Sequence, residues 1–418
     1  MCSKCLSSSA LCTETFFEQN GNKKFKPFFY IKLEYFLSWM LESPFFMMGQ
    51  AFSKRLLDAD IFSHKRNWRI FSQPWVVRTL FTLLFVFYLG VPAWFYFCPW
   101  FRRTAVYLHF ADWPFQALSD PEKYGLSNTK HFFVETSTGE LLGVWHILPN
   151  SANFTLNVPS SFDNDDQPVI LYLHGSAESR SAPYRRSMYG VLTRNPLCAH
   201  VVTFDYRGFG DSTYISPTAS TLQEDAMAMF LWLQKYVDAS RIIIWGHSMG
   251  TGIAVKLGEA LSKSNQSNPF AIVLEAPFTS IADATRTFPL SYFHRRLPLF
   301  ETFCAQQTRH PDTNLNSDER IGAVTAPILI LHAADDSMVW SEQGKTLWKR
   351  AIRDRPSNLH RPVFVELDGK HGCGHRNIHK APNLSSEVFK FLESVKLYNI
   401  AQNSCQRILK CDINEDYR

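Results

Sequence analysis

Cysteine is sparse in this 418-residue chain, and its nine residues are scattered and odd in number, which excludes a disulfide scaffold. The sequence has no basic stripe and no zinc-finger spacing, although its formal net charge is +5, so we expect no nucleic-acid partner. It also has no internal repeat, which excludes a repeat architecture. The length suits one large α/β domain with an appendage.

Charged residues are absent from residues 79–101, a segment dense in Leu, Phe, Val, Tyr and Trp. Its length suits one membrane-spanning helix, which needs roughly 20 apolar residues. Gly90 and Pro92 lie inside it and predict a kink, which membrane helices tolerate. More than seventy residues precede the segment, so it is not an ordinary cleaved signal peptide. We expect a transmembrane helix within residues 75–101, with a buried core helix as the alternative.

The charges that flank this segment predict its orientation. Basic residues are more frequent before it than after it, which favours a cytosolic N-terminus and a lumenal or extracellular globular part. Three glycosylation sequons agree with that side of the membrane. They begin at Asn153, Asn265 and Asn383.

Residues 1–74 form a separate N-terminal region that we expect to be cytosolic or interfacial. Palmitoylation of Cys2, Cys5 and Cys12 is one interpretation, and free thiols in a flexible tail are the other. The apolar residues between positions 28 and 52 are interrupted by charges. They suit either a helix lying on a membrane surface or a poorly ordered segment.

From residue 112 the pattern becomes an alternation of strands and helices, which predicts an α/β domain over residues 112–398 and a C-terminal tail over residues 399–418. The first two strands suit an antiparallel start, and the later apolar runs suit a mostly parallel sheet covered on both faces. Residues 282–322 interrupt the alternation and predict a cap over the carboxyl ends of the strands. The predicted strands are 131–135, 141–148, 169–173, 201–204, 241–245, 271–274, 328–331 and 363–367.

The most informative motif is Gly246-His247-Ser248-Met249-Gly250, between a strand-like run and a helix-like run. A serine on so sharp a turn needs a strained backbone, and Gly246 and Gly250 let strand and helix pack closely around it. The turn presents the Ser248 hydroxyl at a helix N-terminus, where an oxyanion is stabilised. Ser248 is therefore the candidate nucleophile, and a glycine-rich turn with an inert serine is the alternative.

A serine nucleophile needs a base and an acid that orients the base, in the chain order serine, acid, histidine. Asp335 and Asp336 follow a predicted strand, and the turn after them favours Asp336 as the acid. His371 and His375 lie in the loop after the last strand, and both qualify as the base by position.

Three further interpretations concern the surroundings of the serine. A metal site would use His371, Cys373 and His375, with His379 as a further ligand, but no carboxylate or second cysteine completes a familiar spacing, so we expect no metal and no cofactor. The expected oxyanion donors are the backbone amides of Met249 and Ser176. Residues 205–212 are interpreted as a loop that shapes the site.

Taken together, these residues resemble the α/β-hydrolase superfamily, and within it the membrane-anchored lipases of lysophospholipids and monoacylglycerols. The resemblance covers about residues 112–395, while the first seventy residues and Gly372-Cys373 depart from it. It implies that Ser248, Asp336 and His375 form the triad. The motifs that carry it include Leu173-His174-Gly175, Asp205-Tyr206-Arg207-Gly208-Phe209-Gly210, the serine motif with Thr251-Gly252, Glu275-Ala276-Pro277-Phe278-Thr279, Leu331-His332-Ala333 and Gly374-His375.

We therefore expect a single-pass membrane serine hydrolase that cleaves acyl esters of lipids, with its catalytic domain in the lumen of the endoplasmic reticulum. The resemblance implies monoacylglycerols and lysophospholipids, such as lysophosphatidylserine, as substrates. Two alternatives remain open, a protein or acyl-CoA thioesterase on the same fold and a non-catalytic membrane scaffold. The sequence does not predict the oligomeric state.

Overall fold

The computed structural model describes residues 73–110, 117–150, 162, 166–264, 267–297 and 299–415. The chain divides into two units between Leu83 and Leu84, and the described residues from Leu84 onward belong to the second unit. The expectations for the cysteines and apolar run of residues 1–72 lie outside the described residues, as do those for Asn153 and Asn265. The domain boundaries given above remain predictions.

A helix runs from Pro74 to Phe97 and is long and apolar enough to cross a membrane, judged by length and composition. Most of its side chains are exposed, and Phe97, for example, is 73% exposed. A core helix would bury such side chains, so the alternative of a buried core helix is wrong. Three segments compose the helix: α1 (Pro74–Phe85), a π-helical turn (Val86–Gly90) and α2 (Val91–Phe97).

One eight-stranded sheet forms the centre of the second unit, with the strand order β1-β2-β4-β3-β5-β6-β7-β8. The second strand pairs antiparallel with both β1 and β4, and the other neighbouring pairs are parallel. This confirms the predicted α/β fold with an antiparallel start. The strands are β1 (Thr129–Glu135), β2 (Leu141–Ile147), β3 (Val169–Leu173), β4 (His200–Phe204), β5 (Ile242–His247), β6 (Ala271–Glu275), β7 (Ile328–Ala333) and β8 (Val363–Leu367).

The sheet is covered on both faces because its central strands are apolar throughout. Side chains alternate between the faces of a strand, so neighbouring residues belong to different cores. Ile242 and Ile244 lie in one hydrophobic cluster, whereas Ile243 and Trp245 lie in the other. The continuous apolar runs of the sequence thus reflect two cores that share one sheet.

Helices connect the strands and supply the outer layers of both cores. The described residues between β6 and β7 form short helices and helical turns, none longer than seven residues, and this segment includes the predicted cap. The helices are α3 (Pro99–Tyr107), α4 (Pro183–Leu192), α5 (Ala219–Leu233), α6 (Met249–Lys263), α7 (Ile281–Thr287), α8 (Ser317–Arg320), α9 (Ser341–Asp354) and α10 (Leu384–Glu415).

The loop of residues 205–212 is held by buried charges. The Asp205 carboxylate accepts hydrogen bonds from the backbone N–H of Arg180 at 2.7 Å and from its guanidinium. Asp211 pairs with the same guanidinium at 2.7 Å. Gly208 and Gly210 adopt positive φ angles of 84° and 51°. These contacts fix the loop beside the segment that follows β3, in agreement with its interpretation as a shaping loop.

Glu275 at the end of β6 gives a testable pH dependence. Burial raises the pKa of its carboxyl from 4.5 to about 7, although the Trp245 indole donates to it at 2.7 Å. Because the folded pKa exceeds the unfolded one, this carboxyl stabilises the fold below pH 4.5, and that contribution is lost as the pH rises through about 7. We compare the free energy of unfolding of Glu275→Gln with that of wild type. This difference should favour the variant by about 3 kcal/mol more at pH 8 than at pH 4.

The measurement is thermal unfolding of the detergent-solubilised chain across this pH range. Exposed Glu135 provides the matched control, because Glu135→Gln changes the same functional group in solvent. Parallel pH profiles for wild type and Glu275→Gln would contradict the prediction.

Candidate active site

Ser248 lies at the turn between β5 and α6 in a backbone conformation that few residues adopt. Its φ and ψ angles are 50° and −117°, and its N–H donates to the Glu275 carbonyl at 2.9 Å. A Cβ on Gly250 would lie 2.0 Å from the Leu173 carbonyl oxygen. A Cβ on Gly246 would lie 2.4 Å from the Gly250 oxygen. Both glycines are therefore required by the close approach of helix and sheet.

Ser248, His375 and Asp336 form a hydrogen-bonded chain although they are far apart in sequence. The His375 Nε2 atom lies 2.8 Å from the Ser248 Oγ, and its Nδ1 atom lies 2.7 Å from the Asp336 Oδ2. Since an ionised carboxylate only accepts, Nδ1 carries the proton and Nε2 is free to accept the serine proton. This is the arrangement that activates a serine hydroxyl for attack.

The Asp336 carboxylate is ionised and fixed on both oxygens. Its Oδ1 accepts from the backbone N–H groups of Met338 and Val339, each at 2.9 Å. Burial opposes ionisation, but hydrogen bonds from His332 and His375 hold the pKa of Asp336 well below its usual range. The carboxylate can therefore orient the imidazole of His375 and stabilise its protonated form.

The structure distinguishes the members of both candidate pairs, the two aspartates, of which the sequence favoured Asp336, and the two histidines, which the sequence left equal by position. Asp335 is exposed, and its Oδ1 accepts from the Gly374 N–H at 2.9 Å, so it holds the loop of residues 369–375, the histidine loop. His371 is exposed in the same loop, whereas His375 is buried against Ser248. Only Asp336 and His375 of these four residues join the hydrogen-bonded chain.

The loop of residues 369–375 also bears on the metal interpretation. Exposed His371 and buried Cys373 do not converge with His375, whose two ring nitrogens face Ser248 and Asp336. Within the described residues, no group of three or more His, Cys, Asp and Glu side chains could hold a metal ion.

The segment after β3 has its carbonyl groups gathered around one buried guanidinium. Arg185 donates to the carbonyl oxygens of Gly175 at 3.0 Å and Ala177 at 2.9 Å. A trans peptide directs its N–H away from its C=O, so the Ser176 N–H points away from Arg185. Ser176 and Met249 both line the cavity that contains Ser248. Ala177 and Glu178 follow with positive φ angles of 58° and 54°.

Three residues support this site in roles that the sequence did not predict, although two of them, His247 and His332, belong to motifs named above. His247 donates from Nε2 to the His375 carbonyl at 3.0 Å, and burial lowers the pKa of His247 to about 3, so the ring is neutral. His332 lies 3.3 Å from the Asp336 carboxylate. The burial of Arg185 could have been predicted from the sequence, because Arg185 belongs to a set of residues that recur along one face of α4 at helical spacing. They are Arg185, Met188, Tyr189 and Leu192.

A cavity of about 680 Å³ opens above Ser248, and its lining is mostly apolar. The lining comes from the helix at residues 87–95, from α3, from the segment after β3 and from the cap. Arg376 is the one formally charged side chain among the described residues that line it. The volume falls within the range of cavities that bind small molecules, roughly 300–1,000 Å³.

The fold and this site define the chain as a hydrolase of the α/β class, and comparisons with known proteins agree. The family model described as alpha/beta hydrolase fold matches residues 168–295. The lysophosphatidylserine lipase ABHD12 of Danio rerio is 34% identical over 327 residues, covering 77% of this chain and 84% of that protein. Protein ABHD12B of Homo sapiens is 33% identical over 292 residues, covering 69% and 79%.

The chain therefore belongs to the α/β-hydrolase family that includes ABHD12 and ABHD12B. Among solved structures, an alpha-beta hydrolase from Vibrio vulnificus is similar with a TM-score of 0.52 and 18% identity. It covers 71% of this chain and 92% of its own, which supports the fold. The comparisons confirm the family, the fold class and the hydrolase activity that the sequence predicted.

Proposed function

We propose that the chain is a serine hydrolase that cleaves acyl esters of single-chain lipids at Ser248. The observation that carries the proposal is the hydrogen-bonded chain of Ser248, His375 and Asp336 beneath a large apolar cavity. An apolar cavity suits a hydrocarbon chain, and the hydroxyl at its floor suits an ester carbonyl. The names of the relatives favour lysophosphatidylserine or a similar lysophospholipid, and monoacylglycerol is the neutral counterpart.

The proposed reaction begins when Ser248 Oγ attacks the ester carbonyl and His375 Nε2 accepts its proton. Asp336 keeps the imidazole in the required tautomer and stabilises the imidazolium. The amides of Met249 and Ser176 donate to the oxyanion, which lowers the energy of the tetrahedral intermediate. His375 then returns the proton to the leaving alcohol, and water hydrolyses the acyl-enzyme in a second cycle of the same steps. No step calls for a cofactor or a metal.

Matched substitutions test these roles. His375→Ala should lower turnover of lysophosphatidylserine and monoacylglycerol as severely as Ser248→Ala, because the two groups act as one unit. Asp336→Asn should lower turnover by about 10⁴-fold, as expected when the orienting carboxylate is lost. The measurement is product release by full-length protein in membranes, normalised to folded protein.

The neighbouring residues are the controls for this comparison. His371→Ala and Asp335→Asn should retain most of the activity, since their side chains lie outside the hydrogen-bonded chain. If His371→Ala or Asp335→Asn were the inactive variant of its pair, the assignment of the base or the acid would be wrong.

We also propose a single-pass topology in the endoplasmic reticulum membrane with a lumenal catalytic domain. The helix from Pro74 to Phe97 supports an anchor, and the basic residues before it support a cytosolic N-terminus. Asn383 is exposed directly before α10, where a glycan could attach without disturbing the cores. We keep the segment boundaries predicted from the sequence for this topology. They are an anchor at residues 75–101, a catalytic domain at 112–398 with a cap at 282–322, and a tail at 399–418.

Glycosidase digestion tests this topology. The wild-type protein should gain mobility on gels after endoglycosidase treatment, and the shift should shrink as Asn153, Asn265 and Asn383 are replaced by Gln one at a time. In sealed microsomes the catalytic domain should resist added protease. Digestion of that domain in intact vesicles would place it in the cytosol and refute the topology.

A further inference from the structure

We infer that the acyl chain of the substrate binds against the helix that runs from Pro74 to Phe97, so that one face of its residues 87–95 forms a wall of the active site. The inference rests on the proposed function, since it concerns the chain of the ester that Ser248 attacks. Four residues of this helix line the cavity that contains Ser248, namely Phe87, Val91, Pro92 and Phe95. Their spacing, at i, i+4, i+5 and i+8, defines one face of a helix.

At this wall the helix contains the π turn of residues 86–90, and the sequence explains why one carbonyl of this turn needs an outside partner. In the π turn, the Val91 N–H donates to the Val86 carbonyl, five residues earlier. The next carbonyl in that pattern, of Phe87, would need the N–H of residue 92, but Pro92 has none. A carbonyl left unpaired in an apolar environment is costly.

The cap supplies the missing donor. His294 Nε2 lies 2.9 Å from the Phe87 carbonyl oxygen and donates to it. The His294 ring also packs on Phe87, with ring centroids 4.4 Å apart. Further along the helix, the ring centroids of Tyr96 and Phe303 lie 5.0 Å apart. The cap and residues 87–96 are therefore joined at two levels, and both contribute to the cavity lining.

Lining residues that are also exposed mark where the cavity opens. Phe87 is 42% exposed and Phe293 of the cap is 60% exposed, and both line the cavity. Phe87 belongs to the helix that is apolar enough to cross a membrane. Beside Phe293, the Arg295 and Arg296 guanidiniums lie over the Tyr292 ring at 4.9 and 4.7 Å, a combination typical of a membrane interface.

These features fit one acyl chain as the occupant of the cavity above Ser248. Residues on one face of 87–95 and Ser248 line the same cavity, so one lipid can place its acyl chain against the helix wall and its ester carbonyl at the serine. The helix wall is apolar, whereas Arg376 lies beside His375 and suits a polar headgroup. A single-chain lipid can thus pass from the bilayer between Phe87 and Phe293 with its tail still against the helix.

The first test compares a long and a short ester in two tryptophan variants of the full-length protein. Val91→Trp fills the wall of the cavity, whereas Leu89→Trp adds the same ring type to an exposed position outside the cavity lining. We expect Val91→Trp to lower the ratio of kcat/KM for an oleoyl ester to that for an acetyl ester at least tenfold. Leu89→Trp should leave the ratio unchanged. An unchanged ratio in Val91→Trp would overturn the inference.

The second test uses wild-type protein, so it does not depend on the folding of a variant. A long-chain alkyl fluorophosphonate with a diazirine in its tail is reacted in membranes, irradiated and mapped by mass spectrometry. We expect attachment of the phosphonate at Ser248 and cross-links of the tail within residues 87–95. Attachment at Ser248 with all tail cross-links elsewhere would overturn this inference alone. Absence of attachment at Ser248 would instead overturn the proposed function.

Discussion

The close approach of the first turn of α6 to the sheet is the constraint on which the site depends. The backbone of Gly250 lies so near the Leu173 carbonyl that no side chain fits between them. This approach forces Ser248 into a positive φ and lifts its hydroxyl clear of the sheet edge. It also brings the segment after β3 next to the serine, so that the amides of Ser176 and Met249 border the same cavity. The nucleophile and the proposed oxyanion donors are thus consequences of one packing contact.

Buried polar groups hold the remaining parts on this framework. The histidine loop is tied down by Asp335 at Gly374 and by His247 at the His375 carbonyl, so His375 is positioned from both sides. Arg185 holds the carbonyls after β3 without a carboxylate partner at hydrogen-bond distance among the described residues. A charge so deeply buried is costly to leave unpaired. The carbonyl dipoles compensate it, which makes the conformation of this segment depend on Arg185.

The sequence was most informative where the local pattern determines the structure. Continuous apolar runs predicted the strands to within one or two residues, and the two glycines predicted the turn at Ser248. The turn that follows the two aspartates favoured Asp336 over Asp335. The choice between His371 and His375 depends on which side chain turns inward, and positions in a loop have no regular period that encodes this. The π turn at residues 86–90 likewise arises from Pro92 together with His294, two residues that are distant in the chain.

The proposed mechanism depends most directly on Ser248 being the reactive residue. Membranes containing the full-length protein should be treated with a fluorophosphonate, digested and mapped by mass spectrometry. We expect a single modified peptide from this protein, with the adduct on Ser248, and loss of the label in Ser248→Ala at unchanged expression and thermal stability. Undiminished labelling of Ser248→Ala, or an adduct on another serine, would contradict it.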